Sequence, residues 1–573
     1  MNRNSTDIQP DPVDAPAPTP SRLYWEAIVD QAPRILGLMD RETFSPTTGC
    51  CDRTYWAWKF VDFPGARFQE SACVLSFLYA TAEEGSPYYH NPNLLTWIAR
   101  GLDFWAGIQY PDGSFDEAYP YERSLAATAF TAFYVSEALA LLEDHLPAAS
   151  RARCTEALRK AGDWLIANDE THGFLSNHLA AAAAALYHIY RLTDDGRYEQ
   201  RSRYFLDKIL RHQSEEGWYE EYGGADPGYQ THGSFYLARY WQLSRSAGLF
   251  ASLEASMRFL SHCIHPDGSL GGEYASRNTQ TYYPAAFEML APHSPIAAWI
   301  AHTMRPSVRS AAAAGLRSVD PYNYFPLLNN LVFCYRACAG HDAPTGTPAE
   351  PDGPAQPDGL LWFPLAGIAR IRRPPYDAYV GTRKGGVLKV FDRNRRALIF
   401  NDCGYIGRLK NGRFFASQFE DPQRKVTVEP DRIVVEGPFV EVPRPVMTPF
   451  RFILFRAFNL TAARIPGLAR WLKNLLVKAL IYKKRYLDLH FRREIQFMPD
   501  RIVVRDALQG RQHDIDRLHW EPVFTTIHMG SSRYFIPNEL NVGAFEPAGP
   551  GPAVDPQALT GGVALERTVS FKR

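Results

Sequence analysis

The chain carries no excess of either charge: Lys plus Arg and Asp plus Glu are both 62 in 573 residues. No global field therefore draws it to DNA or RNA, and nucleic acid is not expected as a partner. Cysteine is sparse and irregular. The eight residues, at 50, 51, 73, 154, 263, 334, 338 and 403, form no CxxC pair and no spacing of a disulfide framework or zinc ribbon. They read as reduced, buried thiols, and a cytoplasmic protein is expected. No uncharged run of about twenty apolar residues occurs, so no membrane span is predicted. The first twenty residues, rich in Pro and without an apolar run, are expected to be a flexible tail and not a secretory signal. The chain also lacks HExxH, GxSxG, a P-loop, a Rossmann fingerprint and the acidic motifs of terpene cyclisation. No metal and no cofactor is therefore predicted.

What is present is an apolar share of 46%, enough for two or three cores, and an aromatic share of 13%, which suits either packing or a sugar platform. From about Leu23 to Ala339, segments such as AATAFTAFYVSEALALLEDHL and LAAAAAALYHIYRL repeat apolar residues at three and four, the helical period. Between them a related punctuation recurs around Gly113, Gly173, Gly217 and Gly268, at separations of 60, 44 and 51 residues. That is about the length of one helical hairpin with its loops. The reading is an α/α toroid, an incomplete α/α barrel, over residues 22–340, following a disordered tail at 1–21.

Residues 341–360, rich in Pro and Gly, read as a linker. Beyond them the period becomes two: YVGTRKGGVLKVFD and LDLHFRREIQFMPDRIVVRDAL alternate apolar and polar residues. PDRIVVEG at 430 and PDRIVVRD at 499 read as equivalent hairpin corners. The fold class is therefore multidomain α+β, with an antiparallel β-sandwich at 361–573. One stretch, 449–486, fits neither half. Between Arg451 and Arg485 it holds nine Lys or Arg and no Asp or Glu. Its Leu468, Trp471, Leu472, Leu475 and Ala479 fall on one helical face. An anionic membrane surface is its expected partner, with a helical excursion packed on the sandwich as the alternative.

A toroid gathers its inner-helix loops at one face, so polar residues near the repeated glycines should line a shared cleft. Candidates are Asp116, Glu117, Tyr119, Arg123, Asn177, His178, Tyr229, His232, Arg277 and Asn278. Each group has a plainer reading as a helix cap, with Ser176 or Asn177 the expected cap before LAAAAAAL. The stretch GGADPGYQTHGSFYLARYWQ, residues 223–242, raises the question most sharply, since its helical rhythm opens on Tyr229, Gln230 and His232 where a simple cap is expected. Carboxylates for a glycosidase are also at hand in Asp112, Asp116, Glu117, Glu122, Glu220, Glu221, Asp226 and Glu273.

Two motifs carry a resemblance. Ser176-Asn177-His178 is similar to the Asn-Asn-His of the heparinase II/III and alginate lyase group. Asp226-Pro227-Gly228-Tyr229-Gln230-Thr231-His232-Gly233 resembles that group's Asp-Gly-Ser-Tyr-x-Gln-His-Gly. Ser176, Pro227 and the 449–486 insert depart from its pattern. The resemblance implies a toroid followed by a β-sandwich and a polysaccharide lyase that cleaves a uronate glycan by β-elimination. Asn177 and His178 would neutralise the uronate carboxylate and Tyr229 would move protons at C5 and O4, provided its surroundings lower a pKa near 10. Arg277 or Arg123 would pair with the carboxylate, with Tyr119, His232 and Asn278 in substrate binding. An acidic polysaccharide or lipid-linked glycan is the expected partner, in surface-polysaccharide biosynthesis. A uronyl C5-epimerase, a toroid glycosidase and a non-catalytic glycan-binding assembly protein remain alternatives.

Overall fold

The α/α toroid arises because each helical hairpin has one apolar side and buries it against its neighbours. In the computed structural model, which describes residues 18–571 apart from 171–172, 311, 341–357, 445, 466, 470, 472–484, 512–513, 527–529 and 541–552, fourteen helices precede the two large sheets. They are α1 (Pro20–Val29), α2 (Ala32–Leu38), α3 (Ser71–Ala80), α4 (Pro92–Gly107), α5 (Leu125–Leu142), α6 (Ala148–Ala167) and α7 (Ser176–Thr193). There follow α8 (Gly196–His212), α9 (Pro227–Ser244), α10 (Ala247–Ser261), α11 (Ala285–Leu290), α12 (Pro295–Met304), α13 (Ser307–Ser310) and α14 (Pro321–Cys338). The inner helices α3, α5, α7, α9 and α11 touch in sequence, and α14 joins α11 back to α3. Outer helices α4, α6, α8, α10 and α12 each back an inner one.

Inner helix α5 is apolar nearly all round because it is covered all round. In α5 nearly every residue is buried. The stretch Leu125–His145 is long and apolar enough to cross a membrane, yet it is the toroid's own core. Residues 1–17 of the expected tail lie outside the described residues; Thr19 Oγ1 accepts from Arg22 N–H and Pro20 takes the first helical position, so α1 opens inside 1–21.

The repeated glycines have a backbone reason. Gly113 and Gly217 both sit at φ +95°, and a Cβ there would lie 2.1 Å from Lys160 O in α6 and 2.3 Å from Ala255 O in α10. Gly49, which the glycine spacing did not reveal, does the same against Arg100 O in α4 at 2.2 Å. A glutamine locks each junction. Gln109 Nε2 donates to Gly113 O and Ala157 O, Gln213 Nε2 to Gly217 O and Ser252 O, and Gln69 Nε2 to Gly49 O and Gly101 O.

A two-stranded hairpin, β1 (Glu220–Glu221) and β2 (Gly224–Ala225), lies between α8 and α9. The sandwich begins with β3 (Gly359–Phe363), inside the expected linker, whose residues 341–357 fall outside those described. Strands β3, β4 (Ile368–Arg373), β5 (Tyr376–Gly381), β6 (Val387–Asp392) and β7 (Ala397–Asp402) form an antiparallel meander. The second sheet comprises β8 (Tyr405–Leu409), β9 (Phe414–Ala416), β10 (Lys425–Glu429), β11 (Arg432–Val442), β12 (Tyr486–Phe497), β13 (Arg501–Gly510), β14 (Ile515–Trp520) and β15 (Val563–Ser570). Its order is β14-β8-β9-β11-β12-β13-β15, with β10 paired to β11. Both expected PDRIVV corners are hairpin turns, β10 to β11 and β12 to β13.

A buried ion cluster joins the two sheets: Arg493 on β12 pairs with Asp402 on β7 and Asp506 on β13. The first sheet is fixed to the toroid by an apolar cluster that includes Trp218, Phe259, Tyr274, Tyr379 and Phe391. Lys389 also donates to Glu273 across this boundary, at 2.6 Å. The 449–486 insert leaves the sandwich between β11 and β12 as α15 (Pro449–Leu460), and of its α15 residues only Asn459 is buried. Trp471 is described, but Leu472, Leu475 and Ala479 of its expected apolar face lie outside the described residues.

Candidate active site

The N-terminal ends of the inner helices converge on a cleft of about 750 Å³. The loop before α5 supplies Glu117 and Glu122, the start of α7 Asn177 and His178, and the start of α9 Tyr229 and His232. The start of α14 brings Asp320 and Tyr322, and the 3-10 turn before α3 brings Arg67. Gly530 and Ser531, from the sandwich, close one side. The macrodipoles of these helices point their positive ends at the cleft and favour an anionic ligand.

Helix α9 begins on Asp226 and not on Tyr229. Asp226 Oδ1 accepts from Tyr229 N–H at 3.0 Å, and Pro227 takes the first helical position. Its second oxygen accepts from Arg277 N–H and Thr279 N–H. With the cap supplied one turn earlier, Tyr229 and His232 are released to share one helix face three residues apart. Helix α7 is built the other way: neither Ser176 nor Asn177 caps it. Ser176 Oγ donates to Glu220 O, and the Glu221 carboxylate, carried on β1, accepts from Asn177 N–H at 2.8 Å. Glu221 also accepts from Asn177 Nδ2, at 2.9 Å to each oxygen. The Asn177 amide is therefore directed at a protein carboxylate, and the free donor foreseen for a uronate is already engaged. Burial pushes Glu221 up to about 7 against the pull of these hydrogen bonds.

His178 Nδ1 is 2.8 Å from Glu170 Oε2, and its side chain is 22% exposed. Burial pulls the imidazole down, but the hydrogen bond and charge of Glu170 outweigh it, so the net shift favours the cation. His232 is the opposite case: it is 5% exposed, stacks on Tyr283 at 4.2 Å and has Nε2 3.1 Å from Tyr236 Oη. Burial, with the charges of Arg67 and His178, holds it well below the usual histidine range, and therefore neutral. Tyr229 is half-buried and its hydroxyl bonds Ser531 Oγ. Burial pushes the phenol up to about 12, more than Ser531 and Arg277 pull it down. The lowered pKa required of a tyrosine base is thus reversed, and Tyr229 is a phenol at neutral pH.

Of the residues chosen from sequence, Asn177, His178, Tyr229 and His232 meet in the cleft, and Arg123, Tyr119, Arg277 and Asn278 stand outside its lining. Arg123 pairs with Asp112 and donates to the carbonyls of Ala463 and Arg464. Tyr119 packs edge-on against Phe455. Arg277 lies behind Tyr222, its guanidinium 4.0 Å from the ring centre. Tyr222 itself reaches the cleft from the tight β1–β2 turn, where it and Gly223 both take positive φ. Asn278 is buried at φ +58° with neither side-chain polar atom bonded among the described residues. Of the eight carboxylates considered for a glycosidase, Glu117 and Glu122 line the cleft. Arg67 and Glu170 were missed. Arg67 pairs with Glu117 at 3.1 Å and with the buried Glu70 at 2.8 Å, and no motif marked it. Glu170, eight residues before His178, was legible only as one more acid in DETHGFLSNH. Among the described residues no three His, Cys, Asp or Glu side chains gather as a metal set.

A helical toroid followed by antiparallel sheets is also the architecture of solved polysaccharide lyases, to which this chain is similar in fold. Residues 72–286 match the family model described as the Ulvan lyase N-terminal domain. Chondroitin AC lyase of Streptomyces coelicolor A3, solved in complex with chondroitin sulphate, is similar in structure with a TM-score of 0.54 at 14% identity, over 88% of this chain and 68% of that one. Xanthan lyase of Paenibacillus is similar at a TM-score of 0.50 and 12% identity, over 87% of this chain and 46% of the other. No curated protein matches the chain. These likenesses support the polysaccharide lyase superfamily that the two motifs suggested.

Proposed function

We propose that the protein is a lyase that cleaves an acidic, uronate-containing polysaccharide by β-elimination. The observation that carries this reading is the meeting of three differently poised groups in one cleft: an imidazole biased to the cation, a neutral imidazole and a neutral phenol. The C5 proton of a uronate is poorly acidic while the adjacent carboxylate keeps its charge. His178, partly exposed and with Glu170 biasing it to the cation, pairs with that carboxylate and stabilises the enolate-like charge as it grows. His232, neutral, accepts the C5 proton. The C5–H electrons form the C4=C5 double bond as the C4–O4 bond breaks, and Tyr229 gives its proton to the departing O4. Asn177, held by Glu221, sets the position of the α7 turn that carries His178. Tyr222 and Tyr322 offer ring faces for sugars.

A role in making surface polysaccharide at the cytoplasmic face of a membrane goes with this reading. The eight cysteines, all buried and none in a disulfide, support a reducing compartment.

The test is ultraviolet absorbance from a new C4=C5 bond over a panel of alginate, chondroitin sulphate and ulvan, with C5 exchange in heavy water followed in parallel. Tyr229→Phe is expected to lower turnover by roughly 10²- to 10⁴-fold with glycan binding retained, and His232→Ala to stop exchange and elimination together. Exchange without absorbance in the unaltered protein means an epimerase. New reducing ends without absorbance mean a hydrolase, with Glu117 and Glu122 the residues to test next.

A further inference from the structure

The insert between β11 and β12 leaves an apolar face open to solvent. On α15, Phe450, Ile453 and Leu454 are 69%, 64% and 55% exposed, and the spacing of three and four puts them on one side of the helix. Val446, Met447, Ile465 and Trp471 of the same excursion are also exposed. Such a concentration on a folded surface marks an interaction site.

The other side of α15 is anchored. Arg456 pairs with Asp62 at 2.9 Å, Phe455 packs on Tyr119 at 5.1 Å, and Arg123 donates to Ala463 O and Arg464 O. Tyr119 and Arg123 belong to the loop whose Glu117, Ala118 and Glu122 line the cleft. Trp58 and Phe60, within four residues of Asp62, are exposed as well. The open apolar face is therefore held at the rim of the cleft.

Charge selects the occupant. Between Arg451 and Arg485 the chain has nine Lys or Arg and no acid, and among these Arg451, Arg464 and Arg485 are described and exposed. A second copy seated on this face in a two-fold dimer would set cations against cations. An acidic polysaccharide would answer the charge but leave the Phe and Leu side chains in water. A bilayer with anionic headgroups satisfies both. We propose that the α15 insert docks the protein on an anionic lipid surface, with the cleft beside the membrane plane. Resting on the lyase reading given above, this makes a membrane-anchored acidic glycan the substrate class.

The experiment is co-sedimentation with vesicles of phosphatidylcholine, with and without phosphatidylglycerol, using the full chain and its Tyr229→Phe form. Binding is thus read apart from turnover on soluble glycan, and failure of one leaves the other standing. Expected is sedimentation with the anionic vesicles that fades toward ~1 M salt. The triple change Phe450→Gln, Ile453→Gln and Leu454→Gln is expected to weaken it by at least about tenfold while the protein still melts cooperatively. If the triple variant does not fold, Arg451→Gln with Arg464→Gln is read instead, and is expected to lower binding and its salt dependence. No sedimentation, sedimentation indifferent to these changes, or a dimer that the triple change turns to monomer without any vesicle binding would each overturn the proposal.

Discussion

The side-chain nitrogen of Asn177 lies 2.9 Å from both carboxylate oxygens of Glu221, and the Asn177 backbone N–H donates to the same carboxylate at 2.8 Å. Glu221 thus serves α7 as a cap supplied from β1, answering the orphan N–H of Asn177 and the positive end of the helix dipole. Burial opposes the arrangement by disfavouring the charged form.

That opposition sets a stability profile. Glu221 rises from its ordinary value of 4.5 to about 7 in the folded chain, so between those values the native state binds more protons than the unfolded state. Its contribution is fully present below about pH 4.5 and is lost as pH rises through about 7. Glu221→Gln, which stays neutral, should flatten the slope of unfolding free energy in that window by up to about 1.4 kcal/mol per pH unit. Urea denaturation of both proteins from acid to neutral pH reads the difference. Glu70, also raised to about 7, and Asp116, to about 6, keep their own slopes in both. Parallel profiles would show that Glu221 does not titrate in this range.

Glu170 should control the alkaline side of catalysis. Its hydrogen bond and charge outweigh burial and raise the His178 pKa. Glu170→Gln keeps the shape and removes the charge, so His178 loses its proton at lower pH. If the imidazolium holds the substrate carboxylate, the basic limb of kcat/KM moves to lower pH. At alkaline pH the loss is roughly tenfold or more, the worth of one charge-assisted hydrogen bond. An unchanged profile with an intact fold would remove His178 from that role.

The order of domains was legible because it rests on period: three to four in the toroid, two in the sandwich. Asn177, His178, Tyr229 and His232 were legible because short local motifs place them at helix starts, and inner-helix starts share one face. Arg123 and Tyr119 misled because sequence gives a loop's neighbourhood and not the direction of its side chains. Their loop does border the cleft, but they turn outward to hold the insert. The Glu221 cap and the Arg67 pairing with Glu117 were hidden for a different reason, since both join segments more than forty residues apart. Whether Tyr229 meets the condition of a lowered pKa was not legible, because burial, which no motif reports, decides it.

The sandwich has its own buried charge cluster with a separate prediction. Arg493, 1% exposed, meets Asp506 at 2.8 Å and Asp402 at 2.9 Å, and burial of the Asp506 carboxyl is outweighed by Arg493 and Arg567, so its pKa is lowered. Arg493→Met leaves both aspartates buried without their main partner and should cost about 3–5 kcal/mol by chemical denaturation. In the unaltered chain the stability from Asp506 is present above its ordinary range and is lost as pH falls through its lowered folded value. Less than about 1 kcal/mol lost in the variant would mean that water or Arg567 compensates the cluster.

The repeated glycines give the sharpest test of the toroid. At Gly113, φ +95° already excludes most side chains, and an added Cβ would stand 2.1 Å from the Lys160 carbonyl oxygen, a backbone atom that cannot rotate away. The carbonyl is fixed because α6 packs on α5, and Gln109 bonds the same junction through Gly113 O and Ala157 O. Gly113→Ala and Gly217→Ala should therefore each cost roughly 2–4 kcal/mol, combining backbone strain with a forced separation of hairpins. Gly107, at the end of α4, has no positive φ, and a methyl group added there would meet nothing within 4 Å. Gly107→Ala should be neutral or slightly stabilising, through the lower entropy of the unfolded chain. Thermal unfolding of the three variants separates the causes: if all three behave alike, the glycines act only through unfolded-chain entropy, and the close approach of each loop to the next outer helix does not hold the toroid together.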